Sequence, residues 1–272
     1  MPSFAVCYRD YVRTALKADR HFGFDLRTVA RIEPCISFLY KEWWKVEFDG
    51  LNMIPSTGPA LIVGNRAGFV PWPAFMLMYA LMANKSGPRR LSIVGDLDWV
   101  KDERLYNLLV QVGFVPWSSA NLKHLFAKGE IVAAFPEGLS ATCKPFADRY
   151  RMLEFDWTRL LPAVEEGIPI YPLATIGCEE SVPTIANLDN LAKFLEMPAF
   201  PVTPFFPWFP FPFNLGSLPV RWRMKLLKNL TYPRASKNRD KIEDTAKNQS
   251  RFIEGDIQAE LNRMLRARIK GN

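Results

Sequence analysis

Along the chain, apolar and polar positions alternate in two different rhythms. Short, almost unbroken apolar runs occur at residues 60–63 (ALIV), 91–94 (LSIV), 131–135 (IVAAF) and 170–173 (IYPL). Runs of this length and continuity predict strands buried on both faces of a sheet. Stretches with helical spacing lie between them, the clearest at residues 74–82. A repeated strand-then-helix order predicts an α/β fold, a mixed and mainly parallel sheet flanked by helices. Residues 45–48 alternate like an edge strand and turn at Asp49 and Gly50.

The two ends follow the helical period. Residues 4–20 repeat Val6, Tyr8, Val12 and Leu16, and residues 36–44 form a second amphipathic helix, so an N-terminal helical part over 1–44 is expected. Residues 45–233 then make up the α/β domain. Residues 234–272 are a basic amphipathic helix packed on it, with Phe252, Ile253, Ile257, Leu261, Met264 and Leu265 on one face. Residues 198–219 hold seven prolines and six phenylalanines, which excludes regular helix and is too apolar for a solvated linker. An extended loop over the core, a rim dipping into lipid and a roof over an acyl tunnel all suit that composition.

A length of 272 residues, 49% hydrophobic, supports one large domain. The net charge of +7 calls for an anionic partner. Eight tryptophans, many beside proline, suit a membrane interface better than a nucleic-acid groove, and no nucleic-acid motif is present. No stretch reaches the roughly 20 apolar residues that span a bilayer, and charges at Arg9, Asp10, Arg13 and Lys17 interrupt the first twenty residues. A cytoplasmic protein, peripheral on an anionic phospholipid surface, is expected. Cys7, Cys35, Cys143 and Cys178 form no metal or disulfide pattern and read as small buried hydrophobes. His21 and His124 are the only histidines, so no metal centre is expected.

Four sequence blocks sharpen this picture. FPEGLS at 135–140 directly follows an apolar strand. DGLNMIP at 49–55 leads into GPALIVGN at 58–65, and KPFADRYR at 144–151 is followed by GIPIYPLA at 167–174. Together these resemble the blocks of the lysophospholipid and glycerol-phosphate acyltransferase family. The proline-aromatic segment is similar to a stretch in its bacterial branch, related to mono- and diacylglycerol acyltransferases. The resemblance spans roughly residues 42–222.

In that family a His after the Asn acts as general base on the acceptor hydroxyl, and a downstream Asp orients the imidazole. The resemblance puts Arg66 at the His position and Pro71 or Pro73 at the Asp position. Arginine stays protonated and proline has no side-chain acceptor, so neither can take the proton from an alcohol. No catalytic residue of the usual kind is expected. Asp96 and Asp98, after the 91–94 strand, are the fallback bases, and His124 reads as a helix-surface residue.

The resemblance also implies that Asn65, Arg66, Phe135, Pro136, Glu137 and Gly138 border a ligand site, with Lys144, Arg149 and Arg151 as a cationic cluster beside it. Glu137 reads equally well as a brace for its own loop. An acyl-CoA or acyl-carrier-protein thioester is the expected co-substrate or ligand, with no other cofactor. A pseudo-acyltransferase that binds a lipid, an acyl group or a partner protein, alone or in a larger complex, is the leading expectation. The alternative is an active O-acyltransferase with a relocated base.

Overall fold

In the computed structural model, residues 21–68, 70–84, 87–194, 196, 199–204, 217–230 and 239–270 are described below. The expected helix at 4–20 and most of the proline-aromatic segment, at 205–216, lie outside them. The elements, in chain order, are α1 (Leu26–Phe38), β1 (Glu47–Asp49), β2 (Ala60–Gly64), α2 (Trp72–Met82), β3 (Leu91–Gly95) and α3 (Glu103–Gln111). There follow β4 (Phe114–Pro116), α4 (Ser119–Ala127), β5 (Ile131–Ala134), α5 (Leu161–Glu166), β6 (Ile170–Ile176) and α6 (Cys178–Ser181). The last are β7 (Ala186–Asn187), α7 (Asp189–Phe194), β8 (Pro201–Val202), β9 (Arg223–Leu226) and α8 (Arg239–Lys270).

Seven strands form one sheet in the order β1-β9-β6-β2-β5-β3-β4. From β6 to β4 every neighbour is parallel, and β9 runs antiparallel to β6. All four apolar runs of the sequence are strands of this sheet, and β2, β5 and β6 are buried at every position. The fold is thus a mixed, mainly parallel sheet flanked by helices. A parallel sheet buries both faces, and each face here has its own hydrophobic cluster.

On one face lies α2, whose residues 73–82 are all buried. Its sequence, WPAFMLMYALM, is apolar all round, which suits a helix enclosed on every side. The sheet covers it within, and the turn that follows α1 covers it without through the Tyr40 ring, whose centroid is 4.7 Å from that of Tyr79. On the other face α4, α5 and α8 pack Leu122, Leu125, Ala163, Ile253, Ile257 and Leu261 against the strands. The basic C-terminal helix therefore spends its apolar stripe on the sheet.

Three features differ from the sequence reading. The helix expected at 36–44 is the end of a longer one: α1 starts at the Asp25 cap, passes through Pro34 and ends in a π turn at Leu39–Trp43. A proline in a helical pattern ordinarily marks a boundary, which hid the first turns. β9 carries Arg223 and Lys225 between buried Met224 and Leu226, so it lacks a continuous apolar run. Of the described cysteines only Cys178 is buried, while Cys35 is exposed and Cys143 partly so.

The edge strand β1 is joined to β9 by two stacked tryptophans. Trp44 and Trp222 lie 4.3 Å apart at 18°, with 0% and 1% exposure. Trp222 N donates to Trp44 O (2.9 Å), and both indole nitrogens have acceptors, Leu218 O for Trp44 and Ser181 Oγ for Trp222. Trp222→Ala should lower stability by about 3–5 kcal/mol, because it opens a cavity and removes the stacked partner of Trp44. Denaturant midpoints at unchanged slope measure the loss. Loss below about 1 kcal/mol would mean that β1 is not held by this pair.

Candidate functional site

Because β2, β3, β5 and β6 are parallel, their carboxyl ends and following loops converge on one edge of the sheet. A cavity of about 350 Å³ opens there. Its walls come from Arg66, Val70 and Pro71 after β2, residues 95–97 and Trp99 after β3, and Phe135 after β5. Phe75 of α2 and Leu105 and Leu109 of α3 close it. α3 buries none of its residues fully, since its apolar face turns to this space. The lining is overwhelmingly apolar, and its charges are those of Arg66, Asp96 and Arg159.

Arg66 is held by its backbone. Its N–H donates to Glu137 Oε2 (2.7 Å), while Glu137 Oε1 accepts from Leu153 N (3.0 Å). Glu137 is 4% exposed, and burial raises its pKa while the two amides and Lys144 pull it down. Arg66 and Glu137 thus stand in direct contact. Both carboxylate oxygens of Glu137 are engaged by backbone, which is the bracing reading of that residue.

The Arg66 guanidinium is pulled down from 12.5 to about 10 by burial, with Arg159 lowering it and Asp96 and Glu137 raising it. It remains a cation at neutral pH and accepts no proton. Pro71 lines the cavity, and Pro73 is buried in the first turn of α2; neither side chain offers an acceptor.

Asp96 Oδ1 and Oδ2 both accept from Arg159 Nη2, at 2.9 and 2.8 Å. Arg159 is positioned by Asp156, which accepts from its Nε (3.2 Å), and by the Trp117 ring below it (5.2 Å to the centroid). Asp98 is exposed and does not line the cavity. His124 is exposed on α4, edge-on to Phe22, away from the cavity lining.

The other motif residues sit in the surrounding frame. Asn65, 1% exposed, pairs with the Thr175 backbone through Oδ1 (2.8 Å) and Nδ2 (3.0 Å), tying the β2 loop to β6. Gly138 adopts φ +65°, a turn that suits glycine, and its N–H donates to Phe135 O across Pro136. Lys144 Nζ meets Glu179 (2.9 Å) and Arg151 O (3.0 Å) with its side chain 5% exposed. Arg149 is exposed, stacked on Phe146, and borders a separate recess with Lys144. Arg151 is exposed. Arg66 and Phe135 thus reach the cavity, whereas Glu137, Lys144 and Asn65 support it from behind.

Arg159 was missed by sequence reasoning. Arg159 belongs to no sequence block and reaches Asp96 across 63 residues. Among the described residues no cluster could hold a metal ion, and no helix is long and apolar enough to cross a membrane.

No protein-family model matches the chain. It is 33% identical over 206 residues to an uncharacterized protein of Mycobacterium tuberculosis and 35% identical over 206 residues to one of Mycobacterium leprae. These matches cover 75% of this chain, which spans 57% and 56% of the relatives' own length. Among solved structures it is similar to the 1-acyl-sn-glycerophosphate acyltransferase PlsC of Thermotoga maritima. That match has a TM-score of 0.50 and 14% identity, over 94% of this chain and 83% of the other. The chain has an acyltransferase-like fold.

The buried Lys144–Glu179 pair has a pH signature. Burial raises Glu179 from 4.5 to about 7, outweighing the pull of Lys144. The folded chain therefore binds more protons here than the unfolded chain between pH 4.5 and 7, so this group's contribution is full below pH 4.5 and lost as pH rises through 7. Glu179→Gln should flatten the fall of unfolding free energy across that window by about 1–3 kcal/mol. The slopes are compared because leaving Lys144 buried without its counter-ion also costs about 3–5 kcal/mol overall. Identical slopes would show that the ion pair stays charged throughout.

Proposed function

We propose that this protein is a pseudo-acyltransferase: it holds an acyl chain or lipid in the cavity beside Arg66 and does not transfer it. One observation carries the reading. Where the chemistry of acyl transfer needs a neutral base, the cavity wall presents the protonated guanidinium of Arg66, with Pro71 close by in the lining. A general base contributes about 10² to 10⁴ in rate, so its loss leaves binding as the site's main capacity. PlsC acts on 1-acyl-sn-glycerophosphate, and the shared fold makes an acylated lipid a reasonable occupant.

The relocated-base alternative finds no support in the geometry. A carboxylate with both oxygens on a guanidinium, as in Asp96, is poorly placed to accept a proton from a hydroxyl. Asp98 is directed to solvent.

A membrane surface is the natural source of such a ligand, and the exposed apolar residues favour one. Leu105 and Leu108 on α3 are 41% and 44% exposed, and Phe194 on α7 is 82% exposed. An exposed Lys101–Glu196 ion pair links the segment before α3 to the segment after α7. Net charge of +7 adds attraction to anionic lipid at roughly 1 kcal/mol per basic residue near the surface.

Two measurements follow. With acyl-CoA or acyl-carrier-protein donors and lysophosphatidate, glycerol phosphate or diacylglycerol as acceptor, turnover should stay at background in the native chain and in Arg66→Ala, Asp96→Asn and Asp98→Asn. Turnover matching an acyltransferase that keeps its His and Asp, abolished by either aspartate change, would establish a relocated base. In flotation, the protein should rise with phosphatidylglycerol vesicles at low salt, less at high salt, and weakly with phosphatidylcholine. Equal flotation with both lipids would remove the electrostatic part.

A further inference from the structure

One wall of the cavity is held differently from the others. Between buried Val100 and buried Val112, none of residues 101–111 is buried. That stretch is α3 with its cap, and Leu105 and Leu109 turn from it into the cavity. The facing walls are strand ends and α2, whose Ile93, Phe114 and Phe75 belong to the main core. Hydrogen bonds fix the far end of α3 and not its body. Asp25 N donates to Gln111 O (2.9 Å), Thr28 Oγ1 donates to Gln111 Oε1 (2.8 Å), and the Val110 side chain lies close over Gly23. Among the described residues, no hydrogen bond joins residues 102–110 to α1, α2 or the sheet. The Lys101–Glu196 pair is exposed on both sides, and such pairs hold little. What keeps α3 down is the apolar contact of Tyr106 and Leu109, each only partly buried. Segments with so few buried contacts are where local opening costs least.

Resting on the reading of this cavity as an acyl site, we propose that α3 is its lid: residues 101–110 lift between the buried Val100 and the Gln111 anchor, and an acyl tail enters and leaves beneath them. The polar mouth is the poorer route for a tail. Arg66, Asp96 and Arg159 stand there, and an apolar chain passing them would strip water from charged groups. Beneath α3 the tail meets leucine and phenylalanine side chains, at positions 105, 109, 75 and 114. In water the lid rests shut, because lifting it exposes those apolar surfaces. A gate of this kind sets the rates of entry and exit while leaving the contacts of the bound ligand unchanged. No covalent step is involved.

Amide hydrogen exchange of the full chain, together with the rate at which isotope-labelled dodecanol exchanges between free and bound forms in NMR, tests this. Without ligand, the amides of residues 106–110 should exchange at least about tenfold faster than those of α4, and saturating dodecanol should slow the former and not the latter. Asp102→Ala removes the acceptor that caps Leu105 N (2.7 Å) and frays the lid. Dodecanol should then enter and leave about fivefold faster, the factor that loss of a helix cap produces, with its affinity within about twofold of native. Asp102→Asn keeps a capping oxygen and should match native. Ser118→Ala removes the equivalent cap of α4, where Asn121 N donates to Ser118 Oγ (3.0 Å), and should leave the exchange rates unchanged, since α4 lines no part of the cavity. Native rates in Asp102→Ala, or protection of residues 106–110 equal to that of α4, would overturn the lid and leave the acyl cavity standing. Equal acceleration by Ser118→Ala would show general loosening and also overturn it. If dodecanol does not bind the native chain at all, the acyl-site reading fails and the lid with it.

Discussion

One buried carboxylate holds the functional edge together. Glu137 leaves the end of β5 and accepts hydrogen bonds from the backbone of two separate loops, at Arg66 and at Leu153. Each amide it serves would otherwise be an unsatisfied donor in a nearly dry place, a penalty of about 1–3 kcal/mol per group. Burial alone would push this acid towards neutrality, and the two amides oppose that shift. The loop carrying Arg66 is therefore fixed by its main chain, and the identity of the residue 66 side chain is free to vary.

That freedom has a physical limit set by solvation. A guanidinium moved into an apolar wall loses hydration, which the drop of Arg66 to about 10 records. Asp96 moderates the cost at the same mouth, while Arg159, with which it pairs, adds to it. The pair also occupies the carboxylate that could have served as a substitute base. One carboxylate thus favours the charged form of Arg66 and is itself engaged by Arg159.

The fold was legible in the sequence wherever burial on both faces wrote a continuous apolar run, as at 60–63, 91–94, 131–135 and 170–173. It was illegible where an element is short or half-wet. β4 spans three residues, and β9 alternates charged and apolar side chains under the cover of α8. Within the site, the blocks placed Arg66 and Phe135 at the cavity and brought Arg66 against Glu137. They could not show that Lys144 turns inward to Glu179, because a lysine in a loop reads as solvated by default. Arg159 was beyond reach for a different reason. Its partner lies 63 residues away, and no local pattern encodes a contact made only by the packing of two loops.

Which motif residues persist is explained by what they hold. Asn65 closes a two-point clasp on the Thr175 backbone, Glu137 joins two loops, and Lys144 balances Glu179 next to buried Cys178 and Tyr150. Tyr150 in turn receives the Gly177 N–H at the end of β6 (2.7 Å), where Gly177 adopts φ +90° and a side chain would meet the Arg221 carbonyl. Removing any of these leaves a buried polar group or charge without a partner, which is among the costliest single changes a fold can suffer. A side chain that faces an open cavity, such as that of Arg66, carries no such duty and can be exchanged at the expense of solvation alone. Selection for folding therefore preserves the frame of the motif whether or not chemistry is retained, and the presence of FPEG and its companion blocks argues for architecture before it argues for catalysis.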